Sequence, residues 1–239
     1  RKLAICGLSK TNNMTVCIAA IAKKGEKLVL VSDQMVTANI PISYQYETDD
    51  VSKIFDLTDF SVVMTAGNAL FAYEIVSNSR KKINAENLTT LEDVAEVVRQ
   101  EYVNYRRRLI ERDVLEPRGF NLKSYYEVQQ KLNMAVVSEI ENRLIGFNMG
   151  VDMIIAGHND KECHIFSLVH PGQLISNDAI GFACVGIGAP HALYHIIDSE
   201  YKKTFTLEEA EKVVEAAKQK SEKAPGVGKK TTKLILPKK

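Results

Sequence analysis

The order in which strand and helix signals follow one another limits this 239-residue chain more than any single segment does. Hairpin patterns come first, a block of helices follows, and then hairpins, helices and a last strand. In the first hairpin, Thr15-Val16-Cys17-Ile18-Ala19-Ala20-Ile21-Ala22 is apolar and rich in β-branched residues. Lys23-Lys24-Gly25-Glu26 is its turn, and Lys27-Leu28-Val29-Leu30-Val31-Ser32 runs back. Residues 53–57 and 60–64 flank Thr58-Asp59 in a second hairpin, and Ala66-Gly67-Asn68 opens a helix to about Lys82. Thr90 and Asp93 form a capping-box-like start for a helix through Leu109, Pro117-Arg118-Gly119 interrupts, and residues 123–144 continue as one helix. Strands are predicted at 151–157, 163–169 and 181–186, helices at 189–201 and from Thr206 with Glu209 completing the cap, and a strand at 231–236. Segregated rather than alternating elements argue for antiparallel sheets and against a doubly wound parallel sheet. Two sheets packed face to face, with helices on their outer faces, would bury every apolar surface.

Composition narrows the function classes. Thirty-one Lys plus Arg against thirty Asp plus Glu leave a charge of +1, unlike a dedicated nucleic-acid binder or an acidic disordered tail. The charge is uneven: residues 218–239 carry eight Lys and one Glu, which reads as a solvated helix end and surface strand. No run approaches the ~18 apolar residues of a membrane span. Cys6, Cys17, Cys163 and Cys184 are widely spaced, so neither a zinc site nor a disulfide framework is implied, and a reducing cytoplasmic compartment is expected. The expected organisation is an upstream segment or propeptide at 1–13 and one domain over 14–239.

The first hairpin also brings chemistry together. A three-residue loop with Gly25 in the left-handed position sets Thr15 opposite Asp33, and a two-residue loop shifts the pairing by one. Either way the two are cross-strand neighbours. Were the chain to begin at Thr15, one residue would offer an α-amine and a hydroxyl beside a carboxylate, and the amine could serve as the hydroxyl's general base. A nearby lysine would favour loss of the amine's proton at neutral pH.

Other candidates are weaker. His191 and His195 are spaced i,i+4 on a helix, but no Glu follows His191 and no third ligand is evident, so a surface pair is the better reading. Gly186-Ile187-Gly188 lacks the third glycine of a dinucleotide fingerprint. In Gly226-Val227-Gly228-Lys229-Lys230-Thr231, Lys230 stands where a phosphate loop needs Ser or Thr.

Thr15-Val16-Cys17-Ile18, Ser32-Asp33 with Thr37, Lys53-Ile54-Phe55, and Thr65-Ala66-Gly67 before a helix together resemble the 20S proteasome β-type subunits, which are N-terminal nucleophile (Ntn) hydrolases. The resemblance continues through Gly157, Ile165-Phe166-Ser167, Pro171-Gly172, Gly186-Ile187-Gly188 with Ala192, and Tyr201 to Ala210. It runs from Met14 to about Leu236 apart from the middle. It implies an α+β fold, a four-layer αββα sandwich, and peptide-bond hydrolysis needing neither metal nor organic cofactor. Carried over, Thr15 is the nucleophile and, through its amine, the base. Asp33 supports the lysine, Lys53 tunes the amine, the Gly67 N–H is the oxyanion donor, and Thr37 contacts substrate backbone.

The resemblance also implies peptide or protein substrates and a homo-oligomeric ring, with no membrane or nucleic-acid partner, and leaves any ATP-dependent unfoldase unspecified. The chain departs from the family in three places. Met14, not Gly, precedes Thr15; removal of an initiator Met would release the same terminus if translation began there. Ile187 stands where Ser is typical, and residues 223–228 lack the family's supporting Asp and Ser. Residues 112–126 read as an insertion. A non-catalytic ring subunit and a small-molecule amidase are the alternatives these departures leave open.

Overall fold

The structure, a computed structural model, describes residues 15–39, 43–48, 52–159 and 162–237, with side chains at 37–39 and 43–45 outside that description. The upstream segment 1–13 lies outside the described residues. Strands β1 (Cys17–Ala22), β2 (Lys27–Asp33), β10 (Phe182–Val185) and β11 (Thr231–Leu236) form one antiparallel sheet in the order β10-β1-β2-β11. Strands β5 (Ile54–Thr58), β6 (Ser61–Gly67), β7 (Val151–His158), β8 (Cys163–Val169) and β9 (Gln173–Ser176) form a second, in sequential order and again antiparallel. A separate two-stranded ribbon pairs β3 (Met35–Asn39) with β4 (Ser43–Glu47).

The two sheets face each other through one apolar layer. Cys17, Ala19, Ile21, Leu28 and Leu30 meet Val62, Met64, Ala66, Ile154, Ala156, Cys163 and Ile165. The opposite faces are covered too. Ile18, Ala20, Val29 and Val31 pack under α5 (Ala189–Asp198) and α6 (Leu207–Ser221) through Ala192, Ile196, Ala210, Val214 and Ala217. On the far side, Val63, Val151, Met153, Ile155 and Leu168 pack under α1 (Ala69–Glu86) and α2 (Leu91–Ile110). The result is helix, sheet, sheet, helix, as the segregated pattern implied. Burial on both faces explains why β1 and β2 read as continuous apolar runs rather than alternating ones.

Several details differ from the sequence expectation. The first turn holds four residues, 23–26, with Ala22 opposite Lys27, because Lys23, Lys24 and Gly25 all take positive φ. The register therefore places Asp33 opposite Val16, whose carbonyl accepts its N–H at 3.2 Å, and not directly opposite Thr15. The single helix expected at 123–144 is two, α3 (Leu122–Val128) and α4 (Met134–Gly146). Leu132 is extended, and the Asn133 side chain caps α4 by accepting from the Ala135 N–H at 2.8 Å. The α3 and α4 segment holds its own small core of Ile110, Val114, Leu115, Tyr125, Ile140 and Leu144. Helix α5 ends at Asp198, before the expected Tyr201, and Glu200 follows in the left-handed region. Strands β3, β4 and β9 add to the sequence expectation: β3 and β4 mix apolar and polar residues without a sustained two-residue alternation, and β9 is a four-residue edge.

Leu30 is fully buried between the sheets, whereas Leu70 on α1 is 74% exposed. Leu30→Ala should lower the unfolding free energy by about 2–5 kcal/mol through lost burial and a cavity. Leu70→Ala should change it by no more than about 0.5 kcal/mol. Urea denaturation of both variants checks the contrast.

Candidate active site

Thr15 and Val16 lead into β1, and Asp33 ends the antiparallel neighbour β2, so the hairpin delivers both to one end of the sheet. Lys53 comes from the opposite sheet. It precedes β5, and its carbonyl accepts the Thr65 N–H of β6 at 3.0 Å, which pins it across the gap between sheets. Three predicted residues thus converge. The Thr15 hydroxyl donates to Asp33 Oδ1 and accepts from the Lys53 ammonium. Lys53 Nζ also lies 2.7 Å from Asp33 Oδ1.

Asp33 is fully buried, and a buried carboxylate is tolerable only when its oxygens are satisfied. Oδ1 additionally accepts the Val16 N–H at 3.0 Å. Oδ2 accepts the Met35 N–H at 3.1 Å and the Gly228 N–H at 3.0 Å. The passage from β2 into β3 and the loop between α6 and β11 therefore both end on this one side chain. Sequence reasoning missed Gly228. It stands within a stretch that lacks the family's Asp and Ser and fails as a phosphate loop, and its contribution is a backbone N–H, which leaves no trace in side-chain identity.

The Thr15 backbone is held from a third direction. Its carbonyl accepts the Gly188 N–H at 3.1 Å, and Gly186, at φ +95°, lies so close that a Cβ there would meet the Thr15 carbonyl and methyl. Gly186 and Gly188 thus permit a close backbone approach that no side chain would allow. Ile187 between them is partly buried among the apolar residues under α5 and α6.

Gly67 and Thr37 are less completely defined. Gly67 ends β6 opposite Val151 with φ +103°, just before the Asn68 cap of α1. It stands two residues past Thr65, whose carbonyl accepts from Cys17 Sγ at 3.4 Å. Thr37 lies in β3 opposite Gln45, and its side chain falls outside the described residues.

Burial pushes the Cys17 thiol up to about 12, against the lowering effect of Lys53, so it stays protonated at neutral pH. His191 and His195 lie on α5 beside a cleft shared with Tyr194, Asp198, Lys220 and Lys223. Among the described residues, no group of three or more His, Cys, Asp or Glu is placed to hold a metal ion. None of the described helices is long and apolar enough to cross a membrane.

A family model described as proteasome subunit matches residues 125–224, from α3 through α6. Over those residues the chain is similar to proteasome subunits. The match supports the Ntn hydrolase family on the second half of the chain, while Thr15, Asp33, Lys53 and Gly67 lie in the first half, ahead of the matched residues. No curated protein matches the chain at a significant level.

Asp33→Ala should destabilise this site strongly. It would leave Val16, Met35 and Gly228 N–H groups and the mostly buried Lys53 ammonium without their acceptor, a loss of about 3–5 kcal/mol expected when one partner of a buried pair is removed. Chemical denaturation, compared with the exposed-site variant Glu86→Ala, measures it.

Proposed function

We propose that this chain is an N-terminal-threonine hydrolase that cleaves peptide bonds through an ester on Thr15. The observation that carries the reading is the convergence of Asp33 Oδ1 and Lys53 Nζ on the Thr15 hydroxyl. The reading requires release of residues 1–14, so that the Thr15 nitrogen becomes a free amine.

Each step then has a donor and an acceptor. The amine takes the hydroxyl proton as Thr15 Oγ1 attacks the scissile carbonyl, and the peptide C–N bond breaks as that proton passes to the leaving nitrogen. Lys53 favours the neutral amine by charge repulsion and stabilises negative charge on Oγ1, while Asp33 holds the ammonium in place. The Gly67 N–H would face the developing oxyanion, where such donors contribute most. Water then attacks the ester, the amine again accepting a proton, and the acid is released. Thr37 in β3 would contact substrate backbone beside this centre.

The expected substrate is a peptide or protein, and the expected assembly a homo-oligomeric ring of cytoplasmic location, in keeping with the family match. Large apolar side chains exposed on helices, Leu70 and Tyr73 of α1 and Tyr194 and Ile197 of α5, are the kind of surface that contacts between copies would cover. We read residues 112–126 as an insertion beside that helical layer.

One observation favours a second reading, a non-catalytic ring subunit. Ile187 offers no hydroxyl beside Thr15, and residues 223–228 offer no side-chain hydroxyl or carboxylate. Intact mass and N-terminal sequencing of the purified protein, followed by turnover of fluorogenic peptides, separate the two. The hydrolase reading expects a chain beginning at Thr15, loss of activity by at least about a thousandfold in Thr15→Ala, and partial activity in Thr15→Ser. A chain that begins at Thr15 and turns over neither peptides nor small amides is a structural subunit. Turnover of small amides alone assigns an amidase.

A further inference from the structure

The last turn of α6 contains a buried charge that the proposed chemistry does not use. Lys218 is 1% exposed, and its ammonium lies 2.7 Å from Glu222 Oε1 and 2.5 Å from the Lys229 carbonyl. One turn further on, the fully buried Ser221 donates its hydroxyl to the Gly188 carbonyl at 3.0 Å and is also 2.9 Å from the Ala217 carbonyl. The two contacts lead to the same place. Gly188 donates its N–H to the Thr15 carbonyl, and Gly228, one residue before Lys229, donates its N–H to Asp33 Oδ2. On the other side of the loop, the Lys230 N–H donates to Glu47 Oε1 at 3.0 Å. A Cβ at Gly228 would displace that Glu47 carboxylate and press on Met35, so bare backbone fits the approach to Asp33 best.

Burying an ammonium is costly, and an apolar side chain of the same length would often pack at lower cost. Such a side chain would leave Glu222 without this donor and the Lys229 carbonyl with only the Thr231 hydroxyl, at 3.4 Å. The charge therefore fixes the path of the loop at residues 222–230 and, through it, the direction of the Gly228 N–H. We propose that Lys218, assisted by Glu222 and Ser221, is a positioning residue: it clamps the loop and the Gly188 turn onto Asp33 and Thr15, in the place where the resembled family uses an Asp and Ser side chains. The inference rests on the reading of Thr15 as nucleophile, but the clamp itself has a readout apart from turnover.

The experiment compares Lys218→Met, Lys218→Arg and Glu222→Gln with the native full chain, processed as it occurs. Amide hydrogen exchange at Gly228 and Gly188 reads the clamp, and steady-state peptide hydrolysis reads its effect on Thr15. Losing a charge-assisted bond should speed exchange at Gly228 about tenfold and lower kcat about tenfold, with KM within about twofold. Lys218→Arg should recover most of both. If Lys218→Met does not fold, Glu222→Gln, which keeps the helix and the lysine, gives the same readouts in weaker form. Unchanged exchange at Gly228, or faster exchange with unchanged kcat in an active protein, overturns the proposal. If the native chain beginning at Thr15 shows no turnover, the hydrolase reading fails, and exchange alone decides the clamp.

Discussion

The Asp33 carboxylate is the point on which the site hangs. It is completely buried and accepts from five donors: the Thr15 hydroxyl, the Val16 N–H, the Lys53 ammonium, the Met35 N–H and the Gly228 N–H. These come from the start of β1, the approach to β5, the start of β3 and the loop before β11. In a low-dielectric surrounding each such bond strengthens, and each missing one is correspondingly costly. The carboxylate thus converts the cost of burial into a geometric requirement. All four segments must arrive together, or the charge is stranded.

The sandwich makes that arrival reproducible. The inter-sheet layer mixes Ile21, Leu30 and Ile154 with small side chains at Cys17, Ala19, Ala66, Ala156 and Ala183. Small residues let the sheets approach closely, and close packing leaves little freedom to slide. Lys53 comes from one sheet and Thr15 and Asp33 from the other, so the docking of the sheets sets where ammonium and hydroxyl meet. The helices on the outer faces contribute indirectly. Helix α6 covers β1 and β2, and its last turn supplies the contacts that steer the Gly188 turn and the Gly228 loop toward the same atoms.

Much of this was legible in the chain. Continuous apolar runs marked β1 and β2, segregation of strands from helices indicated two antiparallel sheets, and the capping box of Thr206 and Glu209 marks the start of α6 in the structure. The same helix carried an unread signal. Its apolar stripe through Ala210, Val214 and Ala217 continues, at spacings of three and four, onto Lys218 and Ser221, polar residues at positions where a core contact is due. Short β3 and β4 mix apolar and polar residues and give no sustained alternation. The break at 129–133 escaped notice because its local conformation depends on Asn133 capping a new helix rather than on Pro or Gly.

By itself the sequence determined the periodicities that bury one face or two, the turns that reverse the chain, and the side chains able to attack, accept or repel a proton. Those are local properties, carried by residues near one another in the chain. Only the tertiary structure decided that Lys53 of one sheet meets Thr15 and Asp33 of the other, that the hairpin register sets Asp33 against Val16, and that Gly228 completes the carboxylate across 195 residues. These contacts depend on how two sheets dock and how a loop returns, and a backbone N–H donates identically from almost any residue. Its direction is set by packing, which no residue identity encodes alone.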